Sequence, residues 1–174
     1  MKGMHVPRPL AAVALCLSAA LGVSALDQTP HTPPAPGKLT VYGLDGTAAV
    51  FTVADLEKLP LHTLDVIDHD KPATFEGVAL SDLLAKVALP TGEKYHKTGT
   101  SYYLLVEAKD GYRALFAWAE LDSSFMDKPV YVAIRRDGKP LSAKEGPFRI
   151  VAPGEKRPAR WVWGVVSLKI RQAG

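Results

Sequence analysis

The sequence predicts an α+β domain in which β-strands outnumber helices and form mixed or antiparallel sheets. Three Asp-Gly pairs lie between strand-like segments, and this pair is favoured in tight hairpins because both of its residues tolerate positive φ. Helical periodicity is limited to two short segments. The three pairs are Asp45-Gly46, Asp110-Gly111 and Asp137-Gly138.

Each Asp-Gly pair predicts one hairpin. The first hairpin joins residues 39–42 to 48–51, and the second joins 102–107 to 112–116. The third joins 130–135 to the Lys-Pro-Leu stretch that follows. Because these segments are rich in aliphatic and aromatic residues, we expect them to form the core of the sheets.

Two short helices are predicted. One begins after Thr52, a good N-cap with Asp55 three residues later, and ends before Pro60. The other covers about residues 80–87, where apolar residues recur at i, i+3, i+4 and i+7.

The first 25 residues have the features of a secretory signal peptide. Lys2 and Arg8 precede an apolar run of 14 residues, 10–23, and a small-residue cleavage site ends at Ala25. A membrane-spanning helix needs about 20 residues, so we expect cleavage and no stable membrane insertion afterwards. The predicted mature protein is soluble, and periplasmic or secreted.

The mature chain is expected to contain a proline-rich tether, residues 26–37, and one domain, residues 38–174. Removing the signal peptide leaves 19 basic and 18 acidic residues, a net charge near +1. This balance gives no electrostatic basis for binding nucleic acid. The only cysteine, Cys16, lies in the signal peptide, so disulfides, thiolate catalysis and cysteine-ligated metals are excluded from the mature domain.

The order of several segments resembles the molybdopterin-binding domain of sulfite-oxidase-type oxidoreductases. Residues 51–60 resemble its opening short helix, and Phe75–Leu84 is similar to its aromatic-x-Gly-Val-x-Leu-x-x-Leu-Leu segment. Residues 110–112 match its Asp-Gly-Tyr turn. Residues 146–154 and 160–162 resemble its closing strand, Pro-Gly loop and basic-Trp-Val segment. These blocks span roughly residues 38–170.

The resemblance implies the sulfite-oxidase-like molybdopterin-binding fold, and it implies molybdopterin as the cofactor of the family. In that family a cysteine before the aromatic-x-Gly segment ligates the molybdenum. The corresponding residues here, 63–70, contain no cysteine. The resemblance therefore carries over the fold without the thiolate ligand, and a shared fold alone does not confer activity.

The first candidate site is the acidic segment that replaces the metal-binding turn: Asp65, Asp68, His69 and Asp70. Carboxylate and imidazole groups suit a harder metal ion, with Asp65 and His69 as weak candidate ligands. His69 could instead act as a general base or hydrogen-bond a bound anion. A polar turn with Asx caps explains the same residues and is favoured, because neighbouring acids around one histidine have no defined ligand spacing.

The second candidate site is the loop 153–161. Lys156, Arg157 and Arg160 follow a Gly-containing turn, and such a loop holds phosphate, sulfate or carboxylate groups. Arg160 is the best candidate because its planar fork matches an oxyanion. Trp161 and Trp163 are expected to share one face of a strand, as core or as a stacking surface. A solvated loop in which Glu155 pairs with a nearby cation is the alternative.

Tyr112 and Arg113 follow the tip of the second hairpin and are further candidate ligand contacts. Cross-strand pairing on a half-exposed sheet is the alternative for both residues, and it is favoured for Tyr112. The leading hypothesis is a periplasmic molybdopterin-binding-like domain without Cys-ligated molybdenum. It would bind a small anionic ligand or a partner protein in a cleft formed by the turn 65–70, the hairpin 110–113 and the loop 154–161. One alternative is an oxidoreductase with a non-cysteine metal ligand. The other is a docking module with an exposed tryptophan patch.

Overall fold

The computed structural model describes residues 37–87, 99–122 and 125–174. The predicted signal peptide and all of the predicted tether except Gly37 lie outside the described residues. Within the described ranges, the strands form two five-stranded sheets, here called sheet A and sheet B. No helix in these ranges is long and apolar enough to span a bilayer.

Sheet A is mixed, with strand order β2-β1-β10-β5-β6. The central pair, β1 and β10, is parallel, and the other pairs are antiparallel. This sheet contains the first two predicted hairpins. Its strands are β1 (Leu39–Tyr42), β2 (Ala48–Phe51), β5 (Tyr102–Ala108), β6 (Arg113–Ala117) and β10 (Val165–Gln172).

Sheet B is antiparallel, with order β3-β4-β7-β8, and β9 also pairs with β7. It contains the third predicted hairpin. Its strands are β3 (His62–Asp68), β4 (Lys71–Ala79), β7 (Tyr131–Arg136), β8 (Lys139–Pro140) and β9 (Arg149–Val151).

Both predicted helices are confirmed. Helix α1 (Val53–Leu56) has the capping box formed by Thr52 and Asp55, in which the side chain of each bonds to the backbone N–H of the other. Helix α2 (Leu80–Leu84) continues into a 3₁₀ turn, Ala85–Val87. Another 3₁₀ turn, Pro158–Arg160, lies in the loop that follows β9.

One hydrophobic core contains side chains from both sheets and from α2. In sheet A, strands β5 and β6 bury alternate residues, as expected for strands with one buried face. The predicted α+β, β-rich fold class is therefore confirmed. Core residues with no exposure include Leu39, Val41, Phe75, Leu83, Val106 and Leu168.

Candidate functional site

The acidic segment lies at the tip of the β3–β4 hairpin. Asp68 pairs with Lys71 in the ladder, which leaves a two-residue loop of His69 and Asp70. Their φ angles are 51° and 65°. Two-residue hairpin loops commonly have positive φ at both positions, and asparagine, aspartate and histidine adopt this conformation more often than other side chains. His69 and Asp70 therefore suit the backbone conformation that the tight turn requires.

Asp68 is buried and fully hydrogen-bonded. Its Oδ1 accepts from Arg149 Nη2 at 2.8 Å, and its Oδ2 accepts from Arg149 Nη1 at 3.0 Å and Arg136 Nη1 at 2.9 Å. His69 Nδ1 lies 2.8 Å from the same Oδ1. Burial raises the pKa of Asp68, but the hydrogen bonds from Arg149 and His69 and the nearby positive charges outweigh burial and lower it overall.

Arg149 connects Asp68 to a second buried carboxylate. Its Nη1 donates to Glu145 Oε1 at 2.6 Å, and Arg136 Nη1 donates to the same oxygen at 3.2 Å. Ser142 donates its hydroxyl to Glu145 Oε2. Burial raises the pKa of Glu145, and the bonds from Ser142 and the arginines lower it below its usual value. We call these two carboxylates and two arginines the Arg149 cluster.

Aromatic rings surround the Arg149 guanidinium, which has no solvent exposure. Its Cζ lies 4.8 Å from the ring centroid of Phe75, 5.1 Å from Trp163 and 5.8 Å from Trp161. These are distances at which a cation interacts with a ring face. Within the described residues, its Nε has no hydrogen-bond partner. Arg149 therefore holds the turn, the closing strand and the tryptophan segment together.

Sequence reasoning missed Arg149. The motif comparison assigned residues 146–154 to a closing strand and a Pro-Gly loop, but it did not predict an ion-pair partner for Arg149. A signal was present, because Arg149 interrupts an otherwise apolar run, Phe148–Ala152, and a buried arginine requires carboxylate partners. The acidic turn provides one of them.

Two adjoining clefts lie beside the β3–β4 turn. The main cleft has a volume of about 900 Å³ and lies between the turn and the loop 153–158. The side cleft, of about 210 Å³, lies between that loop and the tip of the β5–β6 hairpin. His69, Pro158 and Trp161 line both clefts. The structure thus brings together the turn, the hairpin and the loop that the sequence singled out.

Opposite charges line the two walls of the main cleft. Lys156 and Arg157 are exposed on the loop wall, and no ion pair joins either one to a carboxylate in the described part of the chain. Asp65 and Asp70 lie on the strand wall. Asp65 Oδ1 accepts a 2.7 Å hydrogen bond from the hydroxyl of Thr74.

Arg160 does not line the main or the side cleft, contrary to the expectation that it is the best anion contact. It donates to both carboxylate oxygens of Glu120, at 2.8 and 3.0 Å, and its Nε donates to Glu155 at 2.5 Å. Its guanidinium lies 4.3 Å from the ring centroid of Phe116. The hydrogen bond from Arg160 lowers the pKa of Glu120, although burial opposes it. The predicted pairing of Glu155 with a cation of the loop is confirmed.

Arg113 also lies outside the two clefts. Its Nε is 3.0 Å from Glu107, across the β5–β6 ladder, so its charge is directed along sheet A. Tyr112 does line the side cleft, and its hydroxyl donates to the carbonyl of Ala159 at 2.8 Å. That bond fixes the hairpin tip against the loop.

Trp161 and Trp163 do not lie in a strand as predicted. Trp161 follows the 3₁₀ turn with φ −80° and ψ 70°, and Trp163 makes only an isolated bridge with Arg149. Trp161 is 5% exposed, and its Nε1 donates to the carbonyl of Ala152. Trp161 therefore belongs to the core, and only the edge of its side chain lines the two clefts.

A family model described as the oxidoreductase molybdopterin-binding domain matches residues 71–172. The chain belongs to this molybdopterin-binding family. The match begins at the first residue of β4 and ends at the last residue of β10, so it includes the Arg149 cluster's arginines and the loop 153–158. The suspected resemblance is confirmed. Comparison with curated protein sequences gives no significant match.

A solved structure supports the same fold. The crystal structure of the sulfane dehydrogenase SoxCD from Paracoccus pantotrophus matches with a TM-score of 0.58 and 24% sequence identity. The match covers 76% of this chain and 37% of the SoxCD chain, so the present chain spans little more than a third of that protein.

The donor groups at the turn do not fit the thiolate-bound molybdenum that the family resemblance implies. The one cysteine of the sequence is Cys16, and residues 63–70 contain none. Both oxygens of Asp68 already accept hydrogen bonds from arginines, and Asp65 is bonded to Thr74. Within residues 37–87, 99–122 and 125–174, no group of three His, Cys, Asp or Glu side chains could hold a metal ion. At the position of the family's thiolate ligand, this chain therefore has carboxylates and the imidazole of His69 instead of a cysteine.

Proposed function

We propose that this chain is an exported member of the molybdopterin-binding family that binds a small anionic ligand in the main cleft, without a cysteine-ligated molybdenum. One observation carries the proposal. Lys156 and Arg157 lie exposed on the cleft wall, with no carboxylate paired to them in the described residues. Cations that stabilise a fold are normally paired or solvated away from concave surfaces, whereas ligand sites place a few polar groups around a cleft.

The charge pattern describes the ligand further. The loop wall offers cationic donors, and the strand wall offers the carboxylates of Asp65 and Asp70. A ligand with an anionic group at one end and N–H donors at the other is complementary to both walls. A volume of about 900 Å³ is ample for a small organic molecule. Pterins that carry an acidic group have this chemistry, with an amino and ring N–H edge opposite the anion.

Two alternative hypotheses receive less support. A docking module was expected to expose a tryptophan patch, but Trp161 is 5% exposed and Trp163 is half-buried. A redox enzyme with a non-cysteine ligand was expected to use Asp65, Asp68 or His69. The hydrogen bonds from Arg136, Arg149 and His69 together occupy the acceptor positions of Asp68, so this carboxylate is already fully paired. The hypothesis of an anion site agrees with the exposed cations that line the main cleft.

Binding of two probes to the purified protein tests the proposal. Sulfate reports an anion site alone, and pterin-6-carboxylate reports an anion joined to a donor edge. We expect both to bind, the pterin more tightly. The double variant Lys156→Ala/Arg157→Ala should weaken both by about tenfold or more, since charge-assisted hydrogen bonds are lost. The matched control Lys139→Ala/Arg171→Ala removes two exposed cations away from the clefts. Equal losses in both double variants, or no binding by the parent protein, would refute the proposal.

The cofactor prediction has its own measurement. The protein is purified from the periplasm of a host that makes molybdopterin, and bound metal is measured by mass spectrometry and released pterin by fluorescence. We expect no stoichiometric molybdenum. Stoichiometric molybdenum with pterin would instead favour the redox enzyme with a non-cysteine ligand, and it would identify the turn as the place to search for that ligand.

A further inference from the structure

His69 has one ring nitrogen committed and one directed away from the Arg149 cluster. Asp68 is a carboxylate that accepts from Arg149 and Arg136, so it has no proton to give to His69. Its 2.8 Å contact with His69 Nδ1 therefore requires that Nδ1 carry the hydrogen. That assignment leaves Nε2 as the atom that gains or loses a proton.

The imidazole lies where a ligand of the clefts would meet it. The His69 side chain is 62% exposed and lines both clefts. Its ring stands edge-on to Trp163 at a centroid distance of 6.0 Å. The hydrogen bond to Asp68 and this ring contact hold it from two sides.

Protonation of His69 changes the balance of charge in the main cleft. In the main cleft Lys156 and Arg157 balance Asp65 and Asp70, and Glu155 is paired with Arg160. One positive charge on His69 therefore changes the formal charge of the cleft from balanced to positive. The titratable and charged groups that face the imidazole from neighbouring elements are Asp65 and Asp68 of β3, Asp70 of the turn, Glu155, Lys156 and Arg157 of the loop, Asp110 and Tyr112 of the β5–β6 hairpin, Lys144 beside Trp163, and Arg136 and Arg149 of sheet B.

We propose that His69 is the proton-donating ligand contact of this cleft, so that an oxyanion binds together with one proton carried on His69 Nε2. The proposal rests on the anion site proposed above and names its specificity-determining residue. The proton comes from solvent, stays on the imidazolium and donates a charge-assisted hydrogen bond to an oxygen of the anion. Asp68 and Arg149 act as positioning residues, because they fix the tautomer and the direction of the ring.

The consequence is a defined pH dependence. Histidine is the side chain that ordinarily changes charge between about pH 5 and 8, while lysine and arginine stay cationic and aspartate stays anionic across that range. Sulfate is a dianion throughout the same range. A pH dependence of sulfate binding therefore reports a group of the protein, and by linkage the affinity should fall as the pH rises.

Sulfate titration of the purified protein, at about pH 5.5 and about pH 8, tests the inference, and we expect affinity to be about tenfold higher at the lower pH. In His69→Asn the affinity should be the same at both values and near that of the parent at the higher pH, and asparagine tolerates positive φ. The control His62→Asn changes an exposed histidine at the start of β3, away from both clefts, and should keep the parent's pH dependence.

The outcomes separate the two proposals. Sulfate binding with equal affinity at both pH values, or a pH dependence that survives in His69→Asn, overturns the role of His69 and leaves the anion site standing. Absence of sulfate binding at both pH values overturns both. Nitrogen-15 chemical shifts of the parent protein give a measurement independent of any variant. Sulfate should move the His69 Nε2 signal toward its protonated value and leave that of His62 unchanged.

Discussion

At the residue scale, the Arg149 cluster decides whether the turn keeps its shape. A buried ion pair costs desolvation free energy, and removing one partner leaves the others buried without compensation. Arg149 provides three of the hydrogen bonds to Asp68 and Glu145, and its neighbours are aromatic rings that cannot replace them.

We therefore predict that Arg149→Met lowers the free energy of unfolding by about 3–5 kcal/mol, although methionine fills much of the volume. Urea denaturation measures the change. Arg113→Ala is the control, because its pair with Glu107 involves an arginine that is 61% exposed, and its loss should cost about 1 kcal/mol or less. Similar losses in the two variants would contradict the assignment of Arg149 as the central structural residue.

The same buried carboxylates predict acid sensitivity. The pKa values of Asp68 and Glu145 are lowered in the folded protein, so each contributes stability that is fully present above its ordinary pKa, near 4. That contribution should be lost as the pH falls below about 4 through the lowered folded values. Urea midpoints measured from about pH 7 down to pH 2 should decline steeply at the acid end. A flat profile over that range would contradict the prediction.

Local signals account for the parts of the site that the sequence predicted. Asp-Gly pairs set the three predicted hairpins, and the tip of one of them, β5–β6, forms the side cleft with the loop 153–158. The β3–β4 tip, which lines both clefts, has His69-Asp70 in place of an Asp-Gly pair. The features of the site that the sequence did not predict depend on pairing between residues far apart in the chain. Arg160 lies in the expected loop, but its guanidinium donates hydrogen bonds to Glu120, which is 40 residues away in sequence. Asp68 was expected to contact a ligand or to form part of a polar turn, but it is buried and pairs with Arg149, 81 residues away in sequence.

At the element scale, the parallel pairing of β1 with β10 had no local signal, because the two strands come from opposite ends of the domain. The register shift in the pairing of β4 with β7 had a local signal in the sequence. Gly77 interrupts an otherwise good strand, and an isolated glycine in a strand indicates a bulge or a close backbone approach. The register between β4 and β7 shifts between Glu76 and Gly77.

We predict that Gly77→Ala destabilises the domain by about 1–3 kcal/mol, as overpacking does in a close-packed interior. An added Cβ would overlap the carbonyl oxygen of Val132 and lie 2.7 Å from the Cα of Ala133. Thermal unfolding followed by circular dichroism measures the loss. Gly154→Ala is the matched control, because its Cβ would meet only the flexible side chain of Lys128, at 3.4 Å. If Gly77→Ala and Gly154→Ala unfold at the same temperature, the close approach does not constrain β4.

At the scale of the whole molecule, the absence of a thiol and the proposed export depend on one processing step. The domain that carries the clefts has no cysteine, whereas the full chain has one, at position 16. If the signal peptide is removed after Ala25, the mature protein has no thiol to be oxidised in an exported location or to ligate a metal.

We therefore predict that expression of the full chain in a Gram-negative host gives a periplasmic protein whose first residue is Leu26. Intact-mass spectrometry and N-terminal sequencing identify the cleavage site, and a thiol reagent should leave the mass unchanged. Replacing Ala25 by a bulky residue should slow processing, because the cleavage site requires small residues. A protein that retains Cys16 and fractionates with membranes would contradict export by cleavage, and it would return a thiolate to the chemistry available to this chain.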